Sequence, residues 1–455
     1  MKILRALLSY LLLLFSLPNA SAQSDLIFRD GDKINFIGNS ITHGGQFHNY
    51  IQLYYATRFP ERKLTFYNSG IWGDNANSFL QRMQEDILNK KTTWAIVMAG
   101  MNDVRRHLYA PSRQSEPDIE TQKQRALSDY EGYYEQVIQQ LQKAGAAVVL
   151  QKPSIYDQTA QLSSENMFGV NDALRKCTVI IDTLAAKYNC KVVDYFSLMY
   201  QLNMTLQQKD PAASIIGYDR IHPGAPGNFI MAYQFLKDIK APSIVSETQI
   251  EQGKLKIALN CKVTALHTGK DIIKFKSRAN SLPFPVEDDA SEALSWVPFM
   301  NDLNREIITL KSLPAGKYVV SIDGQSIGSF TSKDLDAGVN LASVQLTPQY
   351  QQALKVQQQC VGYRKIYRQL RDLRLVEINY LPKKLWQADF SDQEKYIVIL
   401  RDSNDPVYQD NKARFDNFMK NKPLQAQWEQ QLAYISDYIY IINKPTEHTY
   451  IIRKL

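Results

Sequence analysis

Lys33-Ile34-Asn35-Phe36-Ile37-Gly38-Asn39-Ser40-Ile41-Thr42-His43-Gly44 reads as a buried strand, a tight turn and the start of a helix. Ile34, Phe36 and Ile37 are the apolar run of a strand covered on both faces. Gly38 has no Cβ and admits a sharp turn. Ser40 then stands at the carboxyl end of a strand and the amino end of a helix. In an open α/β sheet that is where the ligand crevice lies. Free N–H groups and the helix dipole favour negative charge there. A serine at this bend is a candidate nucleophile, provided the chain also supplies a base and donors for an oxyanion.

The alternation continues over residues 24–240. Strands are predicted at Ile34–Ile37, Leu64–Tyr67, Trp94–Met98, Ala147–Gln151 and Lys191–Asp194. Helical patterns lie between them at Gln46–Phe59, Ala76–Asn89, Ser128–Ala144 and Asn171–Tyr188, with Gly145 as a helix stop. This spacing predicts βαβ units in a three-layer α/β/α domain with a parallel sheet. Tyr109–Arg125, with Pro111 and Pro117, is predicted as a long loop over the sheet edge that carries Ser40. It reads either as a lid or binding loop or as a plain surface insertion.

After Ile239 the texture changes, and Ala241-Pro242-Ser243 reads as a linker. Leu255, Ile257, Leu259, Cys261 and Val263 alternate as in one half-buried strand. Tyr318–Ile322, Asp323-Gly324 and Ile327–Phe330 read as a hairpin. A small β-rich accessory region is therefore expected over 250–340. Residues 341–455 are expected to be mainly helical, with a last strand at Thr449–Ile452.

A chain of 455 residues exceeds one typical core and suggests two or three domains. The net charge of +7 is too thinly spread for a nucleic-acid footprint. Tyr363-Arg364-Lys365-Ile366-Tyr367-Arg368, a dense basic run, reads as a solvated helix face. Lys2 and Arg5, the apolar stretch Leu7–Leu17 and Ala20-Ser21-Ala22 predict a signal peptide over 1–22, cut after Ala22. No later stretch reads as a membrane span, so a secreted or periplasmic protein is expected. Export permits disulfides. Cys177, Cys190, Cys261 and Cys360 match no metal spacing, and buried free thiols are the preferred reading.

Three further places bear on Ser40. Asn68-Ser69-Gly70-Ile71-Trp72-Gly73-Asp74 follows the second strand, and Gly73 offers a backbone N–H to an oxyanion. Glycine-rich βα turns are also common without function. Ala99-Gly100-Met101-Asn102-Asp103 follows the third strand; Asn102 offers a side-chain donor, or the pair is an ordinary Asn-Asp turn or cap. Tyr218-Asp219-Arg220-Ile221-His222-Pro223 sets a carboxylate three residues before a histidine. His222 can then take the serine proton with Asp219 orienting it; otherwise they are a capping Asp and a structural His.

Taken in order, Gly38-Asn39-Ser40, Gly73, Gly100-Met101-Asn102-Asp103 and Asp219-Arg220-Ile221-His222 resemble the SGNH (GDSL-like) hydrolase family over about residues 30–240. The resemblance implies a flavodoxin-like, SGNH hydrolase-like fold for that stretch and nothing beyond it; the smaller β plus helical C-terminal domain that follows is expected from the residue pattern above. It implies Ser40 as nucleophile, His222 as base and Asp219 as its orienting acid. Ser40, Gly73 and Asn102 are the implied oxyanion donors, and Asp74 a loop-fixing residue. Asn39 stands where the family's G-D-S-L has Asp. No metal or organic cofactor is implied.

Trp72, Tyr218 and His43 flank these blocks as possible substrate contacts or as packing. His48, two helical turns past Ser40, and His107, His267 and His448 carry bland readings. The expected function is an exported serine esterase, foremost a carbohydrate O-acetylesterase acting on an acetylated glycan. A lipase or lysophospholipase-type acylhydrolase is the first alternative, separable by short against long acyl esters. An inactive carbohydrate- or surface-binding protein is the second, separable by any ester hydrolysis that depends on Ser40.

Overall fold

The computed structural model describes residues 28–455, so the export segment read at 1–22 lies outside the described residues. Five strands, β1 (Lys33–Gly38), β2 (Thr65–Gly70), β3 (Trp94–Met98), β4 (Ala147–Lys152) and β5 (Lys191–Asp194), form a sheet in the order β2-β1-β3-β4-β5. Every pairing in it is parallel. The helices between them are α1 (Ser40–Gly44), α2 (Gln46–Arg58), α3 (Ala76–Gln81), α4 (Ile119–Lys143), α5 (Val170–Tyr188), α6 (Tyr195–Gln207) and α7 (Ala225–Asp238). Right-handed crossovers place α2 with α7 on one face and α3, α4 and α5 on the other. This is the flavodoxin-like strand order, in which ligands bind where the order reverses beside the first strand.

Glycine matters at the carboxyl edge of β1 and β2 through close approach. A Cβ on Gly38 would lie 2.1 Å from Thr42 Oγ1, and one on Gly70 would lie 2.1 Å from the backbone N of His43. Gly38 is thus needed so that α1 can pack onto the strand ends, more than for an unusual turn. Asn39 caps α1, its Oδ1 accepting from the Ile41 N–H at 3.2 Å.

Two sequence expectations in this domain change. The helix expected over Ala76–Asn89 stops at Gln81 and continues as a wide π turn, Met83–Ile87, and a 3₁₀ turn, Leu88–Lys90. The wider turn carries the Asp86 carboxylate inward, where arginines meet it. The long loop expected at Tyr109–Arg125 is mostly ordered helix. Two 3₁₀ turns end at Arg113, and α4 starts at Ile119. Only Ile119 and Ala126 of the first two turns of α4 are buried, so their polar composition conceals the helix.

Beyond Ala241, β6 (Ile244–Glu251), β7 (Lys254–Leu259), β8 (Cys261–Thr268) and β9 (Ile272–Ala279) precede α8 (Phe299–Leu303) and β10 (Arg305–Lys311). The strands β11 (Lys317–Ile322) and β12 (Gln325–Thr331) form the expected hairpin, with Asp323 and Gly324 both at positive φ. Then come α9 (Ser332–Ala337) and β13 (Val339–Asn340). The alternation read as one half-buried strand is two strands. Asn260, at φ +55°, breaks it: β7 joins a β13-β10-β6-β7 sheet, and β8 a β12-β11-β14-β9-β8 sheet. The strand β7 is exposed along its whole length. Here β14 (His448–Lys454) is the returning chain end, pairing with β9 and β11 in the middle of its sheet. The two sheets share one core of Ile250, Ile308, Leu310, Phe275, Val320 and Ile452, among others.

The helices α10 (Pro348–Tyr380), α11 (Phe390–Asp402), α12 (Pro406–Asp410), α13 (Lys412–Asn421) and α14 (Gln425–Ile442) lie against the α/β domain. Ala353, Val356 and Cys360 of α10 belong to the same core as β1–β5, and so do Leu282, Phe284 and Phe299. The units read at 250–340 and 341–455 therefore cut across packed layers. The basic run on α10 is solvated only in part: Lys365 and Arg368 are exposed, but the run also carries packed residues. Tyr363 is buried with its hydroxyl donating to Phe66 O at 2.7 Å, and Arg364 pairs with Glu287. All four cysteines are free thiols, Cys177 and Cys360 buried, Cys190 and Cys261 half-buried. No helix among the described residues is long and apolar enough to cross a membrane.

Candidate active site

Ser40, nearly buried at the start of α1, meets His222 from the far end of the domain. Ser40 Oγ lies 2.6 Å from His222 Nε2, and His222 Nδ1 lies 2.5 Å from Asp219 Oδ2. A carboxylate can only accept, so Nδ1 carries the proton and Nε2 is left to accept from the serine hydroxyl. Asp219 Oδ1 also accepts the backbone N–H groups of Ile221 at 3.0 Å and His222 at 2.9 Å. Burial raises the Asp219 pKa, but the imidazole and those N–H groups outweigh it and hold the carboxyl below its ordinary value. Asp219 therefore stays anionic where an imidazolium would form beside it.

Arg220 between them was given no role by its sequence, and it anchors the loop. It is buried at φ +65°, and its guanidinium donates to the carbonyls of Asp157, Ala160, Leu162 and Ser164 at 2.9–3.3 Å. No spacing rule announces such a residue, because its partners are four carbonyls of a loop some 60 residues earlier.

Gly73 adopts φ +84°, a conformation that costs glycine little. Its N–H has no hydrogen-bond partner among the described residues. Asn102 is fixed at both ends of its amide: Nδ2 donates to Asp74 O at 2.8 Å, and Oδ1 accepts from Arg106 Nη1 at 2.9 Å. One N–H of the amide is left over. Asp103 accepts the N–H groups of Gly100 at 2.7 Å and Ala76 at 2.8 Å, tying the β3 turn to α3. Burial pushes its pKa up to about 6 against those two donors. Asp74 is bound by Arg82 Nε at 2.7 Å. A hydroxyl primed by an imidazole is what attack on a carbonyl requires, and unpartnered N–H groups such as those of Gly73 and Asn102 are the kind of donor that capture of the resulting oxyanion requires.

Of the flanking aromatics, Trp72 packs on the His222 ring at 5.0 Å between centroids and is 36% exposed. Tyr218 is 64% exposed, and its hydroxyl meets Ser163 Oγ at 2.7 Å. His43 does not reach the crevice. It is fully buried, edge-on to Trp72, and its Nε2 bonds Asp372 Oδ1 of α10 at 2.8 Å. Desolvation outweighs that carboxylate and lowers the His43 pKa. Asp372 lies 329 residues from His43, beyond the reach of any local pattern.

His48 is also buried, with Nε2–H donating to Thr42 O at 3.1 Å and the ring stacked on Phe36. Burial pushes its pKa down from 6.5 to about 4. Between those values the unfolded chain holds a proton that the folded chain lacks, so this group's stabilisation is lost as pH falls through the window. Going from pH 7 to about 4.5 is expected to cost roughly 2–3 kcal/mol through His48 alone. Urea unfolding of wild type and His48→Gln at both pH values checks this: the acid penalty should be smaller in the variant by that amount. An equal penalty in both would mean that His48 accepts its proton without loss of stability.

The model of the GDSL-like lipase/acylhydrolase family matches residues 36–229. An acetylxylan esterase of Geobacillus stearothermophilus is 25% identical over 224 residues, 46% of this chain and 94% of the relative. Among solved structures, a gut microbial diltiazem-metabolizing enzyme matches 95% of this chain and 100% of its own, with TM-score 0.87 and 29% identity. A crystal structure of the Geobacillus acetylxylan esterase covers 47% of this chain at 23% identity, with TM-score 0.38.

Proposed function

We propose that this chain, an ester-hydrolysing enzyme whose residues 36–229 form an SGNH/GDSL-like hydrolase segment, is a serine esterase that removes acetyl groups from carbohydrate. The observation that carries the serine mechanism is the unbroken relay Ser40 Oγ to His222 Nε2, and His222 Nδ1 to Asp219 Oδ2. His222 takes the Ser40 proton as Oγ attacks the ester carbonyl. The N–H groups of Ser40 and Gly73 and the free N–H of Asn102 receive the oxyanion. Collapse expels the alcohol, protonated by His222, and leaves an acyl-serine. Water, deprotonated by His222, then releases the acid.

The acetylxylan esterase likeness supports acetate as the acyl group and a glycan as the alcohol. The test is acetate release from acetylated xylan and other acetylated polysaccharides, with diltiazem and p-nitrophenyl esters of rising chain length alongside. Release from acetylated glycan with activity falling at long chains is expected. Preference for long acyl chains would put a lipase in its place, and no hydrolysis of any ester would end the reading. Cleavage after Ala22 and export belong to the same proposal; the N-terminal sequence of the mature protein checks them.

Asn102→Ala is expected to lower turnover of a short ester by roughly 10²–10³ with little change in KM, since its amide acts on charge that develops only in the transition state. Because Asn102 also holds Asp74 O, the melting temperature is measured beside the kinetics. Turnover within the error of wild type would remove Asn102 from the oxyanion site.

A further inference from the structure

Trp72 belongs to two places at once. It packs on the His222 imidazole, and it lines a pocket of about 370 Å³ whose other walls come from the C-terminal helices. Arg368 and Asp372 stand one turn apart on α10, and Arg414 and Asn417 one turn apart on α13. Leu375, Val376 and Ala413 complete the lining. The packing that brings these helices there is apolar: Ile71, beside Trp72, shares a core with Val376, Phe415 and Phe418.

The charges in this pocket are uneven. Asp372 gives one oxygen to His43 and keeps 39% of its side chain exposed. Arg368 and Arg414 form no side-chain hydrogen bond and no ion pair among the described residues, although most arginines of these helices do. A guanidinium presents a planar fork that fits a carboxylate with two parallel hydrogen bonds. A tryptophan face suits the apolar face of a sugar ring, and Asn417 and the free Asp372 oxygen suit hydroxyls.

We infer that this pocket is the subsite for the alcohol half of the ester and that it takes a carboxylate-bearing sugar of the uronic-acid class. The inference rests on the esterase reading of Ser40 for its role, but the binding it claims does not need turnover. The C-terminal helices then form part of the active site, selecting the substrate that Ser40 deacylates.

Calorimetric titration of the full chain with trigalacturonate and with neutral xylotriose tests it. Trigalacturonate is expected to bind at least about tenfold tighter, the scale of one charge-assisted contact, and to weaken as salt is raised. In Arg368→Gln/Arg414→Gln that preference should vanish, and with it the salt dependence. Both side chains are exposed, so the variant should fold, and the salt series on wild type needs no variant at all. Equal affinity for the two trisaccharides, or a preference that survives in the double variant, overturns the subsite. Hydrolysis of p-nitrophenyl acetate by the same preparation reads the esterase separately. Hydrolysis without uronate preference removes the subsite alone; uronate preference without hydrolysis removes the esterase reading alone.

Discussion

Ser40→Ala is expected to lower turnover of a short acetate ester by on the order of 10⁶, the scale found when a serine nucleophile is removed from a triad that acts as a unit. The size follows from the geometry. Ser40 Oγ is the atom that His222 Nε2 addresses at 2.6 Å, and nothing else on α1 offers a nucleophile at that place. Thr42, two residues on, is buried beneath Gly38. What survives in the variant is binding and the oxyanion donors, which by themselves retain only a small part of the acceleration. Folding should be untouched, since the change removes one oxygen at the edge of the crevice.

Two measurements sharpen this. Ser40→Ala/His222→Ala should be no worse than either single change, because the base has no function without the nucleophile. A phosphonate ester that traps serine nucleophiles should add its mass to the wild type and leave Ser40→Ala unlabelled. Turnover close to wild type in Ser40→Ala, or labelling that persists, would place the nucleophile elsewhere.

What was legible in the sequence was local. Most strands of the parallel sheet are short apolar runs between polar turns, and Trp94–Met98 and Lys191–Asp194 read to the residue. The blocks around Ser40, Gly73, Asn102 and His222 were legible for a related reason: each holds its chemistry within a few residues, and parallel strands bring their carboxyl ends to one edge. What was hidden depends on contacts distant in sequence. His43 reads as a possible substrate contact beside Ser40, or as a surface or packing residue, until α10 brings Asp372 onto it. Asn260 looks unremarkable, yet its left-handed backbone moves the chain from one sheet to another. The last strand is legible in its own residues but its place is not, because β14 finds partners more than 120 residues earlier. Tyr363 lies in a basic run, and only the β2 edge it covers makes it a core residue.

The least legible feature carries the second large effect. Asp86 looks like one more acid in Gln84-Glu85-Asp86, yet it is buried and holds two layers together. Arg82 Nη1 donates to Oδ2 at 2.5 Å, and Arg371 of α10 grips both oxygens at 2.7 and 2.8 Å. Lys90 and Arg374 stand at 3.4 and 3.5 Å. Burial alone would raise the Asp86 pKa; Arg371, Lys90 and Arg82 overcome it and hold the carboxyl well below its ordinary value. A depressed carboxylate pKa means that this stabilisation is present above about 4 and fades only as pH drops further. Burial pushes Lys90 down to about 7, so it is the cation that can shed its proton, while the arginines cannot. Asp86→Ala therefore leaves Arg82 and Arg371 buried and charged without their common partner, at a cost of roughly 3–5 kcal/mol. Against a typical stability of about 5–15 kcal/mol, that is a large fraction of the whole. Arg82 also binds Asp74 and Ser69 O, and Arg371 binds Gly70 O, so the loop carrying Gly73 should loosen as well. Urea unfolding of Asp86→Ala, Arg371→Leu and the double variant checks this as a cycle. Removing one ion from a buried pair strands the other, so the double variant should be more stable than the sum of the single losses implies. Simple additivity would mean that Asp86 and Arg371 are each solvated in the folded chain. It would also mean that apolar packing alone holds α10 to β2.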